Sequence, residues 1–198
     1  MKNNRISGWL WGLVLSTVVL VSGCNESPVP KPRAFFRIHL PEKTYHSPDS
    51  GYPYLFEIPG NALLIPDQGK DAEPYWANLD YPEFNARIHL SYKKVDGNLA
   101  QYIDDSHKMA MKHIARSSGI REHFYEHPER RVFGTLYDIR GTAAASPLQF
   151  YVTDSTRHFL RGALYFNLVP NNDSLAPVIS YIEEDIRHLL ETLHWKQD

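Results

Sequence analysis

The sequence predicts an α+β domain in which an antiparallel β-sheet is flanked by helices. Three observations carry this. Residues 86–95 alternate, with Ile88, Leu90 and Tyr92 on one side and Arg87, His89 and Ser91 on the other, as in a strand buried on one face. Three more strand-like runs, 131–140, 147–153 and 158–167, succeed one another at hairpin spacing. A final segment, about 174–195, carries Ile179, Ile182, Ile186, Leu189 and Leu193 in a helical stripe. The order strands, helix, strand meander, helix suits a sheet with helices packed against it.

The chain has 198 residues, 42% hydrophobic and 22% charged, enough for one domain with its own core. Its formal charge is −2; removal of Lys2 and Arg5 with a leader would leave −4. No basic excess is present to attract phosphate, so nucleic acid is not an expected partner. The single cysteine, Cys24, excludes an intramolecular disulfide, a CxxC redox pair and a cysteine-rich zinc site.

Taken in order, residues 1–23 read as a type II signal peptide. Met1 to Arg5 is polar with two cations, and an apolar run follows from Trp9 to Val21, shorter than a comfortable membrane span. It ends in Val21-Ser22-Gly23-Cys24, the lipobox pattern: small side chains beside the scissile bond, then the thiol that accepts diacylglycerol. Cys24 is the expected lipid attachment site, and several acyl chains on one residue give stable anchoring. Residues 24–50 are expected to be the lipidated cysteine and a tether, since Pro28, Pro30 and Pro32 favour an extended polyproline II segment. Residues 51–198 form the single domain.

Within it, 52–58 and 62–65 read as strands, and 76–81, between Pro74 and Pro82, as a loop or edge strand. Asn98 resembles an N-cap with Gln101 in capping-box position, opening a helix that Gly119 would stop. Residues 120–127, just before Pro128, read as irregular. The 160–166 run is apolar on both faces apart from Arg161, as in a central strand covered on both sides. In the last helix, Pro177 is expected within the first turn.

Candidate chemistry is sparse. His123 and His127 would share a face only if their segment were helical, and neither an HExxH glutamate nor a second cysteine is there to complete a metal site; no metal is expected. Asp154, Ser155 and His158 name a hydrolase triad but sit on one hairpin corner, and no GxSxG elbow exists; turn capping is the plainer reading. Glu183-Glu184-Asp185 reads as a solvated helix face. No phosphate-binding glycine motif is present, so no cofactor is expected. Arg161 is costly in an apolar strand unless paired, with Asp154 or Asp138 as its expected partner or a ligand carboxylate as the alternative. Trp76 is either a core plug or an exposed contact aromatic. Trp76, Arg161, His158 and Asp154 are thus the candidate contact residues, with no catalytic set among them.

The stretch Ser146 to Phe166, with Arg87-Ile88-His89-Leu90-Ser91-Tyr92 and Pro170-Asn171-Asn172-Asp173-Ser174, resembles the gliding-motility lipoprotein GldD family of Bacteroidota from about Pro30 to Trp195. The resemblance implies a Mog1/PsbP-type α/β/α sandwich and a role in gliding motility and type IX secretion. It implies partners among those machines and a periplasmic domain held at a membrane, inner or outer, by lipid. It implies no enzymatic activity. An envelope lipoprotein binding a small ligand or glycan near Trp76 and Arg161 is the alternative.

Overall fold

A computed structural model describes residues 38–48 and 51–196. The expected signal peptide, the Cys24 lipobox and the proline-rich run lie outside the described residues. In chain order the elements are β1 (Tyr45–His46), β2 (Tyr54–Leu55), β3 (Ile58–Pro59), β4 (Leu63–Pro66), β5 (Ala77–Tyr81), β6 (Ala86–Lys94) and helix α1 (Leu99–Met111). Then come β7 (Gly119–His127), β8 (Val132–Arg140), β9 (Leu148–Thr153), β10 (His158–Phe166), α2 (Asn172–Thr192) and β11 (His194–Trp195).

Seven strands make one antiparallel sheet in the order β4-β5-β6-β10-β9-β8-β7, and β1-β3 and β2-β11 form two small ribbons. The period-2 alternation of the strands sorts side chains to two faces. Leu79, Ile88, Leu90, Leu136, Phe150, Leu160 and Leu164 meet Val178, Ile182, Ile186 and Leu189 of α2 in the main core. Each such side chain, fully buried, contributes roughly 1.5–3 kcal/mol. On the other face α1 lays Tyr102 against Phe159, ring centroids 5.4 Å apart, and Ala110 against Tyr137 and Ile139. The result is the expected sandwich, helix on sheet on helix. β10 is central, as its two apolar faces require.

Several local expectations are corrected. β5 is not an edge strand, because β4 pairs outside it. The first helix stops at Met111, since the chain must turn through a 3-10 segment at Ile114–Arg116 to reach the sheet, where Ser118 N–H bonds Arg140 C=O at 2.8 Å. Asn98 makes no side-chain cap; its Oδ1 accepts from Asp96 N–H instead, at 3.0 Å. Residues 120–127, expected to be irregular, lie within the nine-residue strand β7. α2 begins at Asn172, which puts Pro177 in its second turn, and it ends before Trp195, which pairs with β2.

β5–β6 and β7–β8 share one turn device. Pro82–Phe84 and Pro128–Arg130 are 3-10 turns that Asn85 (φ 51°) and Arg131 (φ 52°) close in the left-handed region, where asparagine is tolerated and arginine is strained. The Pro-Glu pair that opens each turn is the signal that β7 is a strand.

The chain is already held by the domain well before residue 51. Ile38 packs on the core, and Lys43 Nζ reaches the fully buried Asp185 carboxylate at 2.6 Å. Tyr45 donates to the same oxygen at 2.9 Å, and Lys43 Nζ stands 3.2 Å from the centre of the Tyr181 ring. Asp185 is therefore not part of a solvated face. A carboxylate removed from water needs these donors.

Candidate functional site

Asp154 and His158 do different work from the triad their names suggest. Asp154 Oδ1 accepts the N–H groups of Thr156, Arg157 and His158 at 3.0, 2.7 and 2.8 Å, and Oδ2 accepts the Thr156 hydroxyl at 2.9 Å. Burial pushes its pKa up, but these donors outweigh burial and hold it at about 2. The folded value lies below the unfolded one, so the stabilisation is complete above about pH 4 and is lost as pH falls towards 2. Roughly 2 kcal/mol is at stake. We expect Asp154→Ala to be less stable than the parent at pH 6 and the gap to shrink steadily below pH 4 in urea titrations; a constant gap would refute the role.

His158 is buried with its ring stacked on Trp195 (5.1 Å, 6° between planes) and Nδ1 2.8 Å from the Tyr92 hydroxyl. It fastens the C-terminal ribbon to the sheet. Trp76 is half-buried, its indole N–H donating to Tyr92 C=O at 2.9 Å with Lys93 Nζ 5.4 Å from its ring centre. Arg161 has neither expected partner: Asp154 is taken up by its turn, and Asp138 binds Arg140 at 3.0 Å. Instead it donates to Gln149 Oε1 at 2.6 Å. Of the four candidate residues, Asp154 and His158 are bonded directly, His158 N–H to Asp154 Oδ1 at 2.8 Å and Asp154 N–H to His158 C=O at 3.3 Å. His123 and His127 lie four residues apart along a strand, about 13 Å, too far to share a metal. Among the described residues no three His, Cys, Asp or Glu side chains come together as metal ligands, and no helix is long and apolar enough to cross a membrane.

The surface best built for contact is one the sequence reading missed. β7 is the outer strand of the sheet, so one side of its backbone is open to pairing. Phe124 stands on it 75% exposed, with Glu122 and Glu126 on the same face to either side. Between β7 and α1 runs a groove of about 480 Å³ lined by Ile103, His107, Thr135, Tyr137 and Tyr151. His107 Nε2 lies 3.8 Å from Glu122. An open strand edge beside an apolar groove is the arrangement by which a sheet accepts an extended segment of another protein: backbone pairing holds it and the groove takes a side chain. The flanking glutamates favour a partner strand whose apolar residue lies between basic ones.

Residues 25–195 match the family described as gliding motility lipoprotein GldD. No curated protein sequence matches the chain. The solution structure of cyanobacterial PsbP (CyanoP) from Synechocystis sp. PCC 6803 is similar at 10% identity and a TM-score of 0.47, covering 85% of this chain and 100% of that one.

Proposed function

The chain belongs to the gliding motility lipoprotein GldD family, and from that premise we propose that it is a lipid-anchored accessory protein of the gliding and type IX secretion machinery. It works by docking to other proteins and turns over no substrate. Cys24 carries the lipid, and the domain faces the periplasm. Palmitate labelling of Cys24→Ala cells checks the anchor: label on the protein should vanish and the protein should leave the membrane fraction, and undiminished label would refute it.

The observation that supports docking is the exposed Phe124 on an open strand edge beside the α1 groove. A large apolar side chain in that position has no folding role to repay its exposure. Phe124→Asp should therefore change stability by less than about 0.5 kcal/mol. It should nevertheless abolish gliding, together with the crosslink from a photoreactive residue at position 124 to a motility or secretion component. Normal gliding in the variant, or no such component crosslinked from intact envelopes, overturns the reading.

A further inference from the structure

The sheet face that carries α1 is only partly covered by it. Over β5, β6 and the C-terminal half of β10 no helix among the described residues lies on this face. Here lies a concavity of about 600 Å³, within the size range of small-molecule sites, lined by Asp80, Arg87, His89, Tyr165, Asn85 and Asn167. The antiparallel register sets three rows on this face: Arg87 beside Tyr165, His89 beside Ala163, and Ser91 beside Arg161. Arg161 thus stands one row beyond the His89 wall, on the same side of the same sheet.

Asp67 and Asp80 both act on Arg87 and His89, but Arg161 has no ion-pair partner of its own among the described residues. Asp80 is taken by Arg87, through Nε at 2.5 Å and Nη2 at 2.7 Å. Arg161 is half-buried, and among the described residues no carboxylate lies within 4 Å of it. A guanidinium does not escape this by losing its proton. Among the described residues its side chain donates to Gln149 Oε1. Gln149 is itself 1% exposed, and its Nε2 donor has no partner. A cation and a spare amide donor therefore sit together, neither with an anion to satisfy it. Burial first, then Arg87, pushes His89 below its ordinary pKa, with Asp67 and Asp80 opposing the shift and Arg161 adding to it. Burial followed by Arg161 does the same to His113.

We propose that Arg161 and Gln149 form the anchoring floor of a binding site for a small carboxylic acid, with His89 and Tyr165 as its walls. The planar guanidinium fork and the adjacent amide N–H₂ offer donors in the geometry a carboxylate accepts. The concavity beside His89 accommodates the body of a small molecule. Gln149 lies on β9, two strands from the β7 edge, and the concavity shares no lining residue with the β7 groove, so the two readings are tested apart.

The test uses the detergent-solubilised full-length lipoprotein and succinate as probe, followed by thermal shift and calorimetry at constant ionic strength. Succinate should bind saturably and raise Tm, where chloride does not. Arg161→Gln and Gln149→Leu should each weaken binding by roughly tenfold or more while the variants still melt cooperatively. Arg121→Gln, on β7, should bind as the parent does. Phe124→Asp should too, which separates failure here from failure of the docking surface. No saturable binding, or undiminished binding by Arg161→Gln, overturns the proposal. So does a response to inorganic phosphate with none to succinate, or to a peptide with a free C-terminal carboxylate but to no free acid.

Discussion

Replacing Asp185 with alanine is expected to cost about 3 kcal/mol or more and to loosen residues 38–46 from the domain. The Asp185 side chain is fully buried and the Lys43 side chain is 23% exposed, so the pair is screened little by water. Removing the carboxylate leaves Lys43 Nζ with only the Tyr181 carbonyl at 2.6 Å and the Tyr181 ring face. It also leaves the Tyr45 hydroxyl without its acceptor. Burial and the neighbouring carboxylate hold the Tyr45 phenol well above its usual pKa, so it remains a donor throughout the physiological range. Lys43→Met strands the carboxylate and should be at least as harmful. The double variant Lys43→Met/Asp185→Leu should recover much of the loss, because apolar replacement of both partners removes the desolvation cost along with the attraction. Urea midpoints for the three proteins decide this, with hydrogen exchange at residues 43–46 reporting the strap. Single variants costing under about 1 kcal/mol would show that the pair does not hold it.

Two glycines should respond to alanine in opposite ways when their neighbours are trimmed. At Gly134 in β8, an added Cβ would overlap the carbonyl oxygen of Tyr151 on β9, a backbone atom that moves only with its strand. At Gly162 in β10, the Cβ would overlap the ring of Phe150, its direct cross-strand partner. Overpacking of this kind costs about 1–3 kcal/mol, and Gly134→Ala should lie at or above the top of that range. Phe150→Leu should offset Gly162→Ala, because the smaller side chain vacates the colliding space. It should do nothing for Gly134→Ala, where the collision is with the chain itself. Denaturation midpoints of the three singles and two doubles test this. Additive losses in the Gly162/Phe150 pair would mean that the ring is not what excludes a side chain there.

β6, β8, β9, β10 and α2 are legible in the sequence because each is long and strongly periodic, so its buried face is written locally. β7 is not, because an outer strand with Arg121, Glu122, His123 and Glu126 shows polar residues on both faces and little apolar alternation. The Phe124 surface is hidden for the same reason. Asp185 reads as one acid among three on a helix until Lys43 and Tyr45, about 140 residues earlier, fold against it.

The sequence alone determines what depends on neighbours along the chain: the alternating strands, the striped last helix, and the absence of an intramolecular disulfide from a chain with one cysteine. Tertiary structure decides what depends on neighbours in space. It places β7 at the edge, and it buries Asp185. It engages Asp154 and Asp138 elsewhere and so leaves Arg161 without a counter-charge. The physical reason is that period and propensity act over a few residues, whereas the desolvation of a charge and the choice of its partner are settled only when distant segments close around it.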